Sequence, residues 1–231
     1  MHLYQNLIDE IDKNHDYIIE QLNEFQIPNL INSIQKCFPA PAGETMANHL
    51  GIFPIDYFRY SEMVAQKAYD DRLTLVASHA TTHEIAGFMI SEPLSDMVQY
   101  SSKKIPDIMK PLIGILEELD HEYLNSRSND LGDTIHFYML GVDPNIRYSG
   151  LGYRLAKAAI EAAESHGYKR CIAEATGVGS QAMLSKLGFQ TFYEIAYNKF
   201  MWEGKYPFAQ MKNGPSHCKL MELVTDVPDL D

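Results

Sequence analysis

Six consecutive residues, Arg147-Tyr148-Ser149-Gly150-Leu151-Gly152, combine types and spacing that suit a pyrophosphate. They follow a strand-like run, Ile135 to Val142, and open an apolar-periodic segment that reads as a helix from about Gly150 to Ser165. A helix start leaves N–H groups unpaired and carries partial positive charge. Glycines let the backbone come close to an anion, and Arg147 adds a fixed cation. Two other phosphate turns are excluded by inspection. A dinucleotide turn needs G-x-G-x-x-G, and its third glycine position is Leu155 here. A G-x-x-x-x-G-K-[ST] loop occurs nowhere in the chain. Nucleotide hydrolysis and dinucleotide redox chemistry therefore lose their main signal.

Other reactive side chains read more plainly. His136 and Tyr138 lie in an alternating strand, where each either faces a cleft or sits satisfied in the core. His79 and His83 flank a hairpin turn and lack metal-ligand spacing with cysteine or acidic residues, so no metal is expected. Cys37, Cys171 and Cys218 are widely spaced, and no C-x-x-C occurs. They point to a reduced, cytoplasmic setting, with Cys171 as core material. The run Glu117-Glu118-Leu119-Asp120 reads as a solvated helix face.

The elements that must position these residues follow from periodicity. Residues 3–11 form a short amphipathic helix within an N-terminal extension, 1–16. Residues 17–22 read as a strand, and Asn23 caps a helix burying Leu30, Ile31, Ile34, Cys37 and Phe38. A helix is expected over 55–69, then a hairpin of 73–77 with 85–90. The interval 91–133 is too long for a structureless loop, and 105–124 supplies its helix. After the 150–165 helix come a strand at 171–175, a helix at 180–187, and strands at 189–195 and 197–202. A main domain over 17–206 leaves 207–231 as a loosely held, Pro- and Gly-punctuated tail. This order suits an α/β fold with a central mixed sheet and helices on both faces.

The chain has 231 residues, 45% of them hydrophobic, enough for one sizeable core. Its formal net charge of −12 argues against nucleic acid and anionic lipid and favours cationic ligands such as amines. No apolar run reaches a membrane span, and the first residues lack a secretory pattern. A monomer or weak homodimer is expected.

Val142-Asp143-Pro144 followed by Arg147-x-x-Gly150-x-Gly152 resembles motif A of the GNAT acetyltransferases. The run Ser180 to Lys186 with Leu187-Gly188-Phe189 is similar to their motif B. Within that family the chain looks most like the invertebrate arylalkylamine (dopamine-type) N-acetyltransferases. Cys37-Phe38-Pro39 before a loop with Glu44, the helical insertion at about 105–124, and Ala175-Thr176-Gly177-Val178-Gly179-Ser180 carry that likeness. The resemblance implies a mostly antiparallel, twisted sheet of about seven strands. It also implies acetyl-CoA as cosubstrate and a small amine as acceptor.

It assigns site residues as well. Leu140, Gly141 and Val142, with Arg147, Tyr148, Ser149, Gly150, Leu151 and Gly152, would hold acetyl-CoA. Glu44 corresponds to the general base, although the familiar Asp-Glu-Pro-Leu is Gly43-Glu44-Thr45-Met46 here. Thr176 and Ser180 stand where the subfamily has two serines, one relaying protons and one protonating the leaving thiolate. Ser180 has a second reading as a helix N-cap. The tyrosine acid of many relatives is Leu184 here, and the motif B asparagine is Gly177. Alternatives are a protein, peptide or polyamine acetyltransferase on the same scaffold, and a non-catalytic CoA-binding module.

Overall fold

The computed structural model describes residues 17–39, 43–96, 105–127, 131–146 and 150–227. The expected N-terminal helix and Arg147, Tyr148 and Ser149 lie outside the described residues.

Seven strands form one sheet: β1 (Tyr17–Gln21), β2 (Leu75–His79), β3 (Ile85–Pro93), β4 (Thr134–Val142), β5 (Arg170–Ala175), β6 (Gln190–Ala196) and β7 (His217–Val224). Their order is β1-β2-β3-β4-β5-β7-β6. Only β4 and β5 pair in parallel; every other neighbouring pair is antiparallel. The described helices are α1 (Ile27–Cys37), α2 (Thr45–Leu50), α3 (Pro54–Asp70), α4 (Lys110–Ser126), α5 (Leu151–Ser165) and α6 (Val178–Lys186).

The strands are apolar on both faces because helices cover both faces. Val76, Phe88, Ile90 and Ile172 point into one core with Leu30 and Ile34 of α1, Val64 of α3 and Ile115 of α4. Their chain neighbours Leu75, Met89 and Cys171 point into the other, with Leu155 and Ala159 of α5 and Leu184 of α6. The period-two alternation thus sorts each strand between two layers.

Two expectations need correction. Residues 197–202 are a turn rather than a strand, with Lys199 and Phe200 N–H groups folded back on the Ala196 carbonyl. The partner of β6 instead comes from the expected tail. Strand β7 inserts between β5 and β6 and buries Cys218, Leu220 and Met221. Pro207, Gly214 and Pro215 punctuate only the approach to it. The periodic run 217–224 lies beyond them, and its pairing with β5 is non-local.

The 207–216 approach also has a task. His49 Nε2 is 3.0 Å from the Pro207 carbonyl, and the His49 and Phe208 rings are in contact. A Cβ at Gly214 would stand 2.6 Å from Thr45 Cγ2. This segment therefore backs α2, a helix not anticipated from the sequence.

Candidate active site

The site begins where β4 and β5 part. Their ladder covers only residues 134–136 with 170–172. Beyond it β4 runs to Val142 and β5 to Ala175 without pairing to each other. Backbone groups of β4 are thereby left for a ligand. Tyr138 marks a bulge: Ile90 pairs with Met139 and Ser91 with Phe137, so the register shifts by one residue there. Gly141 is needed for a different reason. A Cβ there would lie 2.4 Å from the Phe88 ring, which pairs directly across from it.

A cavity of about 560 Å³ occupies the splay. Leu140, Gly141, Val142, Gly150, Leu151 and Gly152 line it, as do Glu44, Thr176 and Ser180. Every described residue that the family resemblance assigns to the site thus lines one cavity. Gly150 is the N-cap of α5 at φ +86°, a backbone conformation that favours glycine. The start of this 15-residue helix faces the cavity beside the open edge of β4. That combination fits a thioester arm along β4 with its pyrophosphate at the helix start.

Glu44 is placed by short-range forces. Its N–H donates to the Phe38 carbonyl at 2.9 Å, closing the chain onto the end of α1. Its side chain caps α2, with Oε2 accepting from the Ala47 N–H at 2.7 Å. The other oxygen, Oε1, is buried with no hydrogen-bond partner. Burial holds the carboxyl above the usual range, although the Met46 and Ala47 amides and the Thr176 hydroxyl favour the charged form. Burial also raises the hydroxyl of Tyr57, helped by the Glu44 charge. The hydroxyls of Tyr60 and Tyr138 touch across the cavity wall.

Ser180 is not an N-cap, as α6 begins two residues earlier and Gly177 is its cap. Ser180 sits one turn in. Its hydroxyl accepts from the Gly177 N–H at 3.1 Å and donates to the Gly177 carbonyl at 3.0 Å. Thr176 is half-buried, and its carbonyl accepts from the Tyr197 hydroxyl at 2.7 Å.

A buried polar chain behind the cavity escaped the sequence reading. His136 is a satisfied core histidine: Nδ1 meets Glu92 Oε1 at 3.1 Å and Nε2 meets Glu174 Oε2 at 2.7 Å. Lys67 reaches Glu92 at 3.3 Å and Asp71 at 2.5 Å. Burial alone would keep the imidazole neutral, but the Glu174 and Glu92 carboxylates outweigh it and hold its pKa well above the ordinary value. Burial and the Glu174 charge push the Asp120 carboxyl well up. Asp120 thus departs from the solvated face expected for 117–120, while Glu117 and Glu118 are exposed. Strand alternation marks His136 and Glu174 as same-side candidates, but nothing local pairs them with Asp120.

A sequence model of the acetyltransferase (GNAT) family matches residues 30–189. The chain belongs to the acetyltransferase (GNAT) family. That family takes acetyl-CoA as cosubstrate. Among solved structures, this acetyltransferase is similar to arylalkylamine N-acetyltransferase 2 from Aedes aegypti. The two share 21% identity at a TM-score of 0.75, over 91% of this chain and 99% of that one. It is similar to the C-terminal condensation domain of Ebony at 12% identity and TM-score 0.81, over 90% and 99% of the two chains. A Drosophila melanogaster polyamine N-acetyltransferase matches at 17% identity and TM-score 0.62, over 91% and 100%. At these identities the likeness is one of fold. Among the described residues no helix is long and apolar enough to cross a membrane.

Proposed function

We propose that this acetyltransferase transfers an acetyl group to the primary amine of a small arylalkylamine, by direct attack in a ternary complex. The observation that carries this is the buried Glu44 carboxylate, one oxygen unpartnered, in the same cavity as the open β4 edge. An alkylamine has a pKa near 10, so reaching its nucleophilic form at neutral pH costs about 4 kcal/mol. A base with a raised pKa and a bare oxygen is suited to take that proton.

The rest of the chain's work is positioning. Acetyl-CoA supplies an already activated acyl group. Leu140, Gly141 and Val142 would align the acyl carbonyl with backbone donors, and residues 147–152 would hold the pyrophosphate. Thr176 stands near Glu44 to relay a proton, and Ser180 is the candidate donor to the leaving thiolate. Its hydroxyl proton would have to turn away from the Gly177 carbonyl to do so.

An apolar part of the cavity wall supports an apolar acceptor. Tyr57, Tyr60, Met109, Leu112, Ile113 and Leu116 line it, the last four from α4 or its approach. The insertion covers the cavity there, which weighs against an extended peptide. We further infer that the chain needs no nucleic acid or membrane surface to act.

The test is a panel of tryptamine, dopamine, a polyamine and lysine peptides with acetyl-CoA, following thiol release. Turnover on the arylalkylamines is expected. Turnover on peptides alone would replace this reading with the protein-acetylating one, and CoA binding without any turnover would leave only a binding module.

A further inference from the structure

Asp120 of α4, His136 of β4 and Glu174 of β5 meet behind the cavity wall. One oxygen or nitrogen from each lies within 4.8 Å of the others. The His136 and Glu174 side chains are 1% and 5% exposed. Glu174 Oε1 and Asp120 Oδ1 are buried with no N–H or hydroxyl donor beside them, and the two carboxyls meet only through the proton that Asp120 shares with Glu174. Among the described residues, three carboxylates of this network, Glu92, Glu174 and Asp71, face two cations, His136 and Lys67, and Asp120 holds a proton beside them.

We propose that Asp120, His136 and Glu174 form a binding site for a divalent transition-metal ion of the zinc type. One imidazole nitrogen with two carboxylates suits zinc or cobalt, whereas magnesium and calcium prefer oxygen alone. On binding, His136 Nε2 gives up its proton to solvent and its 2.7 Å contact with Glu174 Oε2 for the ion, while Nδ1 keeps its proton. That N–H points at Glu92 Oε1, itself held by Lys67, and such a carboxylate behind a ligating histidine fixes its tautomer and orientation. The ion ties the insertion helix α4 to the two central strands. Glu174 also lines the cavity, so the fourth coordination position opens towards it. The site does not depend on the acetyl-transfer reading, because binding is read without turnover.

The full chain, stripped with a chelator, would be titrated with ZnCl2 by calorimetry, with melting followed in parallel. One equivalent bound, a melting temperature higher by several degrees and no response to MgCl2 are expected. Asp120→Asn and His136→Gln should abolish that equivalent, and Glu92→Gln should weaken it about 10- to 100-fold. Cobalt should give a spectrum of nitrogen and oxygen ligands, a readout that needs no variant to fold. No stoichiometric uptake by the native chain would overturn the site. So would a thiolate band with cobalt, or undiminished zinc uptake by folded Asp120→Asn, each placing the ion at other groups.

Discussion

The end of the cavity proposed for the acetyl donor comes from one stretch of chain, the end of β4 through the start of α5. The acceptor end is assembled from the α1–α2 junction, α3, α4, the middle of β4 and the loop after β5. The donor end works through backbone: an unpaired strand edge and a helix start. The acceptor end works through side chains whose meeting depends on the whole fold. A local substitution should therefore damage donor binding alone, while acceptor chemistry should be sensitive to residues far away in sequence.

The largest expected effect tests the acceptor end at its centre. Glu44→Gln should lower turnover by about 10²- to 10⁴-fold, the range for a positioned base, and leave CoA affinity within a factor of two. Rate measurements with CoA binding by calorimetry would check this, and equal loss of both would merge the two ends into one. Next in size is Gly150→Val. A β-branched side chain at φ +86° carries about 1–3 kcal/mol of strain, so CoA affinity should fall about tenfold or more. An unaltered CoA dissociation constant would remove this turn from the donor site.

Gly214→Val probes the remote support. The new side chain meets Thr45 in the first turn of α2 and shifts the helix that Glu44 caps. Turnover should fall by about tenfold with CoA affinity retained, since small misplacements of a reacting group are costly. Loss of CoA binding instead would show that the two ends are coupled.

Titration sharpens the same comparison. Since the Glu44 pKa is raised in the folded chain, kcat/KM for the amine should fall as pH drops through that raised value. The stability sign runs the other way. A carboxyl with a raised folded pKa favours the fold below its unfolded pKa and loses that contribution as pH rises through the folded value. The melting temperature of Glu44→Gln relative to the native chain should therefore increase between mildly acidic and mildly alkaline pH. A constant difference would mean that Glu44 titrates normally. The smallest effect is that of Ser180→Ala. Losing its two hydrogen bonds to Gly177 costs about 1–2 kcal/mol, a shift of about 2–8 °C in a chain of this size. If turnover also drops by more than about tenfold, the hydroxyl acts on the leaving group as well as on the helix.

How far the sequence could be read follows this division. Helical and alternating periods located α1, α3, α4, α5, β3, β4 and β5 because each buries a face that its own residues define. The motif around Gly150 was legible because strand, turn and helix are contiguous. Glu44 was reached only through family likeness. Its backbone is held by Phe38, its carboxyl by the Ala47 N–H, and the helix it caps is backed at Thr45 by Gly214 from a distant segment.

By itself, then, the sequence determined the layered α/β scaffold and the family, since these depend on local pattern. Only the tertiary structure decided that 217–224 is an internal strand, that 207–216 braces α2, and that Asp120 joins His136 and Glu174 behind the cavity. Each of those depends on a non-local contact, and no local period encodes which distant segment a half-buried strand or a buried carboxylate will meet.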